Sequence, residues 1–433
     1  MAHPARSSLP FLACAALAAC GGNDVEPRLI AGGGIGDGSI DGRVNVHVID
    51  GDDAPVGNAT VRVGDTELTT DETGLAIFED VHGAQTIAVK AGGFRSAVWV
   101  GANGANVTIP LVPATVPVPD QATLSGTIPG WGSITVGQNH IKAAIVTYSQ
   151  TDELGDGANE IKTPLNGNIC GAASATCNWT LAARTGPLTV FAMIVDRDTK
   201  GTLPETDDTT AVIGWASRTV TVEKNVSQSG LELAMVEAGN LQNVTVDLGT
   251  PPAALTQTTS IIGIEVSRDE VIQLPLFLAT DQTKLLAPKP TVFGADATYR
   301  LSAIAQSASG ADGAQSVVVR RGDRDAALAA GAWLVPPTGV SVTRTSASFE
   351  RVADAKLHSI AWEDAAGKRL LEITVLDGGV TQVDIPALVS LPVSGMLDAR
   401  VTGIGADIDL DDFSLEEDRD KLYGIAAQPV TIP

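Results

Sequence analysis

Gly42-Arg43-Val44-Asn45-Val46-His47-Val48 decides the fold class, because Val44, Val46 and Val48 alternate with Arg43, Asn45 and His47. Successive side chains of an extended chain point to opposite faces, so a period of two marks a strand with one apolar face. His47 falls on the polar side of that strand and is expected to be solvated. Working outward, Ala59, Val61 and Val63 alternate with Thr60 and Arg62, and Ile87 with Val89, then Val107, Ile109 and Leu111 repeat the pattern. Asp50-Gly51, Thr73-Gly74 and Gly92-Gly93 punctuate these runs as turns. About seven short strands over residues 41–112 predict a small β-sandwich.

Four stretches of this region carry a resemblance. Gly42-Arg43-Val44, Pro55-Val56-Gly57-Asn58-Ala59-Thr60-Val61, Thr70-Asp71-Glu72-Thr73-Gly74-Leu75-Ala76-Ile77-Phe78 and Lys90-Ala91-Gly92-Gly93-Phe94 stand in order. Together they resemble the carboxypeptidase regulatory-like (transthyretin-like) domain. The resemblance implies a fold rather than a reaction, since such modules are non-catalytic and attach to unrelated partners. It gives Gly74 to the tight turn and Phe78 to the core.

The rest of the chain reads the same way. Val, Thr and Ile runs are broken by 45 Gly and 23 Pro, and no long 3.6-residue apolar periodicity occurs. Pro110, Pro113, Pro117 and Pro119 predict a stiff linker. Strands around 123–128, 141–149, 188–195 and 219–223 predict a second sandwich over 121–247. Pro251-Pro252 and Pro336-Pro337 then bound a β-rich domain over 258–335, with one short helix expected at 324–330. Residues 338–433 resemble a fibronectin type III sandwich, carried by Ser346 to Phe349, the strand Leu357 to Trp362, the turn Ala366-Gly367-Lys368 and Leu371 to Val375. Trp362 is its expected inner-face residue. The fold class is therefore all-β, a tandem array of immunoglobulin-like and transthyretin-like β-sandwiches.

The N-terminus reads as a signal. Met1 to Ser8 is polar with Arg6 as its one charge, and Leu9 to Ala19 is an apolar run of eleven residues, shorter than the roughly 20 that span a bilayer as a helix. It ends Leu17-Ala18-Ala19-Cys20-Gly21, which resembles the lipobox of bacterial lipoproteins. That resemblance implies cleavage after residue 19 and lipidation of the Cys20 thiol, with the lipid membrane as first partner. Gly21 and Gly22, rather than Asp, imply the outer membrane of the cell envelope. Residues 20–40, rich in Gly from Ala31 to Gly42, read as a flexible tether with a reach of roughly 25 Å.

Beyond the signal there are two more cysteines, Cys170 and Cys177, which in an oxidising compartment read as one disulfide across a hairpin-like loop. A metal site is the alternative, but two thiols without a nearby His fall short of four ligands. The net charge of −23 is spread along the chain without a Lys/Arg cluster, which argues against nucleic acid as a partner. His47, His82, His140 and His358 stand far apart in sequence, in no metal-ligand spacing, and no serine lies in Gly-x-Ser-x-Gly.

Structural calcium is the one cofactor with a sequence pattern. Asp196, Asp198 and Asp207 stand at positions 1, 3 and 12 of a loop with Gly201 at 6, as in an EF-hand, although Lys200 occupies a ligand position. The acidic run from Asp407 to Asp420 alternates Ile408 and Leu410 with acids and is expected to be an exposed edge. Trp131, in Pro129-Gly130-Trp131-Gly132, is an aromatic in an apparent loop and the candidate ligand-binding residue. The function these features favour is a non-catalytic envelope lipoprotein, a scaffold or adhesion module for an envelope protein or glycan. An enzyme accessory or hydrolase acting on polysaccharide or peptide, and a calcium-stiffened surface adhesin, are the alternatives.

Overall fold

The computed structural model describes residues 25–115, 120–150, 169–170, 176–201, 208–267, 270–279, 284–310 and 313–432. Among these the regular structure is strands and single 3-10 turns, grouped in four consecutive sandwiches. The first holds β1 (Gly34–Gly36), β2 (Asp41–Ile49), β3 (Thr60–Val63), β4 (Thr66–Thr69), β5 (Leu75–His82), β6 (Gln85–Lys90), β7 (Ser96–Ala102) and β8 (Asn106–Pro110). One sheet runs β1-β8-β2-β5 and the facing one β7-β6-β3-β4. Val44, Val46 and Val48 meet Phe78, Ile87 and Val89 in the core between them. Gly74 has φ of +73°, and a Cβ there would stand 2.5 Å from the Val48 carbonyl oxygen, so the turn requires glycine.

The second sandwich holds β9 (Gln121–Ile128), β10 (His140–Tyr148), β11 (Ile169–Cys170), β12 (Cys177–Arg184), β13 (Gly186–Asp198), β14 (Thr209–Val222), β15 (Gln228–Glu232) and β16 (Ala234–Met235). Its long strand β13, paired with β14, is buried on both faces over Leu188 to Val195. Val190, Ala192 and Ile194 face this sandwich's own core, while Phe191, Met193 and Val195 enter the core of the third. The third holds β17 (Leu241–Asp247), β18 (Gln257–Ser267), β19 (Glu270–Ala279), β20 (Lys284–Pro288), β21 (Thr298–Gln306), β22 (Gln315–Asp323) and β23 (Ala327–Ala329). The fourth holds β24 (Ser341–Val342), β25 (Ser346–Ser348), β26 (Leu357–Asp364), β27 (Arg369–Val375), β28 (Gln382–Asp384), β29 (Leu397–Ala406) and β31 (Leu422–Ile432), while β30 (Phe413–Ser414) crosses back to the first. Trp362 lies fully buried in the fourth core and donates its indole N–H to the Thr343 carbonyl.

The sandwiches are not separate beads. One twelve-stranded sheet runs β19-β18-β21-β22-β31-β29-β26-β27-β7-β6-β3-β4 and so crosses the third, fourth and first units in turn. The joins are β22 to β31, antiparallel from Gln315↔Ala427 to Val318↔Gly424, and β27 to β7, parallel from Leu371↔Ser96 to Val375↔Val100. Val98 and Val100 of β7 therefore contribute to the fourth core, while Leu357, Leu376 and Phe413 contribute to the first.

Four expectations are corrected here. From Val25 onward, the stretch read as a tether is docked on the fold. Val25 and Glu26 carbonyls accept from Asn45 and Asn106 Nδ2, both at 3.1 Å, and the Arg28 and Ile30 amides donate to Asn106 Oδ1 and Thr108 Oγ1, both at 2.9 Å. Polar residues on the outer face of β2 and β8 thus find partners in a backbone strap, as buried polar groups must. The strap continues into β1, where Ile35 is fully buried and Gly34 pairs with Ser414. A Cβ on Gly34 would stand 2.0 Å from the Phe413 carbonyl oxygen, so this glycine serves close approach rather than flexibility.

The acidic run is an exposed edge, as expected, with β30 the outer strand of its sheet and Asp409, Asp411 and Asp412 exposed, but it is also anchored from within. Phe413 is buried and stacks on Trp99 with centroids 6.0 Å apart, Ile408 and Leu410 pack against the first core, and β30 completes the β1-β8-β2-β5 sheet. Within residues 324–330 the structure has the short strand β23 rather than a helix, Ala327–Ala329 pairing in parallel with β17. β17 itself belongs to the third sandwich, through its pairing with β20 and β23, so the second ends before Leu241 rather than at 247. His47 is buried, not solvated: it shares its face of β2 with Asn45, and neither ring nitrogen has a hydrogen-bond partner among the described residues.

Candidate functional site

Cys20 and the signal segment lie outside the described residues. Among the described residues no helix is long and apolar enough to cross a membrane. Cys177 opens β12 and is fully buried, with Ile128 of β9 as its register partner. Cys170 closes β11 opposite Ala144 of β10.

The proposed calcium loop has other occupants. Asp196 Oδ1 accepts from, or shares a proton with, His140 Nδ1 at 2.8 Å, across the β10–β13 ladder. The Asp198 carboxylate takes the Lys200 amide at 2.9 Å and its ammonium at 2.5 Å, and these hydrogen bonds hold its carboxyl below the usual carboxylate range. Lysine supplies the counter-charge that the pattern reserved for a cation. Asp207 lies outside the described residues. Its neighbour Asp208 is bound to Arg197 Nε at 2.6 Å. Among the described residues no group of three or more His, Cys, Asp or Glu is arranged to hold a metal.

Trp131 is not a surface aromatic. Only 1% of it is exposed, and it packs with Trp179 and Val146 in the second core. Lys142 lies over its ring at 4.8 Å and donates to the Trp131 and Ile134 carbonyls at 2.6 and 2.7 Å. The Gly130 turn, with φ of +75°, folds the indole inward and the lysine caps the turn, a cation–π arrangement that closes the sandwich end.

The four described histidines do not converge. His82 pairs with Asp41 at the surface, and His140 with Asp196. Burial lowers the pKa of His47, with the Asp71 charge partly opposing. Burial first, and then Arg351, push His358 down to about 4.

A cleft of about 410 Å³ opens where the sheet forks. The β22–β31 ladder ends at Val318↔Gly424, and beyond it the two strands part. Val319 to Arg321 and Asp323 form one wall, Asp420 and Leu422 the other, and Ala327 and Ala329 of β23 line the cleft as well. Arg321 braces the fork, bound to Glu265 Oε1 at 2.8 Å and to the Arg419 carbonyl at 3.2 Å. The exposed Arg320 guanidinium and the Asp323 and Asp420 carboxylates have no hydrogen-bond or ion-pair partner among the described residues. No sequence motif marks this place, because its walls come from stretches about a hundred residues apart.

No protein-family profile matches the chain, and no curated protein matches it. Solved structures similar to it include the Bacillus anthracis TIE protein, at 10% identity over 66% of this chain and 49% of that one, with a TM-score of 0.14. The chain thus spans about half the length of that protein. The tetra-tandem repeat in the extending region of a large adhesion protein is similar at 13% identity, over 90% of this chain and 100% of that one, with a TM-score of 0.14. The pilus adhesin SpaC from Lactobacillus rhamnosus GG is similar at 11% identity, over 81% and 43%, with a TM-score of 0.15.

Proposed function

We propose that this chain is a lipid-anchored binding scaffold of the cell envelope, non-catalytic, whose sandwiches act as one stiff platform. The observation that carries the reading is the shared twelve-stranded sheet, which joins the first, third and fourth units by backbone hydrogen bonds. Such ladders resist bending in a way that loose linkers do not. The lipobox-like Leu17-Ala18-Ala19-Cys20 supports the anchor, and the docked strap supports a short one. From Cys20 to Val25 a fully extended backbone spans at most about 18 Å, so lipid on Cys20 holds the platform against the outer-membrane surface. Two or three acyl chains make such attachment stable.

The Cys177 sulfur is that of a half-cystine, and we assign Cys170 as its partner. Both flank strands of one sandwich, and the periplasm and cell surface favour oxidation. The partner of the scaffold is an envelope protein or glycan.

Cell fractionation of a Cys20→Ala variant tests the anchor, with calorimetry of the purified variant alongside. The variant is expected to leave the membrane pellet while melting as the wild-type protein does. Retention in the pellet refutes the anchor. Independent melting of the first and fourth units refutes the single platform.

A further inference from the structure

We propose that the fork between β22 and β31 binds a short extended peptide segment carrying a carboxylate, held by Arg320. This deepens the binding-scaffold reading and rests on it. Three features of the cleft converge on that ligand.

The first is backbone. Beyond Val318 the edge of β22 away from β21 has no strand beside it among the described residues, and on the opposite lip β31 is paired with β29 at Leu422↔Ala406. Two parted strand edges present amide N–H and carbonyl groups to whatever lies between, and an extended peptide satisfies them by strand addition. The fork is also preformed, because Arg321 ties β22 to Glu265 on one side and to the Arg419 carbonyl across the opening. A site that needs no closing spends less of its binding energy on ordering.

The second is space. Ala327 and Ala329 face outward while Leu328 between them is buried, so strand alternation directs the two smallest side chains of β23 to the cleft. At about 410 Å³ the opening is within the range of natural ligand sites, roughly 300–1,000 Å³.

The third is charge. Arg320 offers a planar guanidinium with no competing acid bound to it, the geometry that takes a carboxylate through two parallel hydrogen bonds. Asp323 and Asp420 on the same walls select further: they repel polyanions and favour a basic residue beside the acid. The overall charge of −23 adds to that discrimination. The ligand is thus a single carboxylate next to a cation on an extended backbone, supplied by the carboxyl end of a peptide or by an acidic side chain.

Isothermal titration of the soluble Cys20→Ala variant tests the proposal with three probes. They are acetyl-Lys-Thr-Val with a free carboxylate, the same peptide as its amide, and acetyl-Lys-Glu-Val-amide, which carries only a side-chain acid. At least one carboxylate probe is expected to bind, with the neutral-ended amide at least about tenfold weaker, as loss of a charge-assisted hydrogen bond requires. Whichever acid binds more tightly identifies the source. Arg320→Gln is expected to lose the same factor, and Ala329→Leu, which fills the cleft from an exposed position, to abolish binding without moving the melting temperature. Amide hydrogen exchange at Val319 to Arg321 is expected to slow in the complex. Equal affinity of acid and amide overturns the proposal, as does binding indifferent to Arg320→Gln or no binding by any probe at millimolar concentration. None of these results bears on membrane fractionation or single-platform melting, so failure here leaves the scaffold reading standing.

Discussion

Acidification is expected to weaken the fourth sandwich through one side chain, His358. Its ring is 1% exposed, lies 5.0 Å from the Phe349 ring, and accepts the Val352 amide at Nε2 over 3.1 Å. An acceptor at Nε2 requires the neutral tautomer with its proton on Nδ1. Burial and Arg351 lower its pKa from 6.5 to about 4. The unfolded protein then binds a proton at a higher pH than the folded one. Stability is therefore full above pH 6.5 and falls as pH drops through about 4, below which both states are protonated. That fall in pKa corresponds to about 3 kcal/mol, of which about 2.5 is lost by pH 4.5. Urea unfolding of wild type and His358→Gln, monitored by tryptophan fluorescence at pH 8 and 4.5, isolates the contribution, because the other titrating groups are common to both proteins. The gap between the two proteins is expected to change by about 2–3 kcal/mol across that range. A gap that does not depend on pH, or an imidazole that titrates near 6.5 by NMR, refutes the reasoning.

Two further substitutions probe the joins. Asn106→Ala removes the side chain that binds the Glu26 carbonyl, the Arg28 amide, Asn45 and Asp37, and is expected to cost about 1–3 kcal/mol. Limited proteolysis should then cut within residues 25–37 first, and an unchanged cleavage pattern would show that the strap is held elsewhere. Phe413→Ala empties a buried aromatic site against Trp99 and is expected to lower stability by about 3–5 kcal/mol. Faster amide exchange in β1, with β4 unaffected, distinguishes loss of this latch from general weakening.

The local half of the fold was legible in the sequence. Alternation around Val44, Val61, Ile87 and Val107 located strands of the first sandwich, and Thr70 to Phe78 located its tight turn, because a strand's period and a turn's glycine are properties of neighbouring residues. The joins were not legible. Nothing near Leu371 or Ser96 announces a parallel pairing between strands 275 positions apart. The glycines of residues 31–42 misled for a related reason. Glycine serves both flexibility and close approach, and only the distance from Gly34 to Phe413 decides which. His47 and Trp131 misled because alternation and turn context place a side chain on a face or in a loop without saying what covers it. A strap covers the face of β2 that His47 shares, and Lys142 caps the turn over Trp131. The fork around Arg320 left no signal, since it is made by strands parting.

The join between β1 and β30 also sets an order of events in the life of the protein. Ser414 Oγ donates to the Ala31 carbonyl across 383 positions, and the first core takes in Phe413 from the same loop. The earlier segment thus waits for one 383 positions later before its own interior is filled. Contacts so distant in sequence slow folding, because the intervening loop must close before they form. The first sandwich is thus expected to complete late, although its strands stand earliest among the described residues.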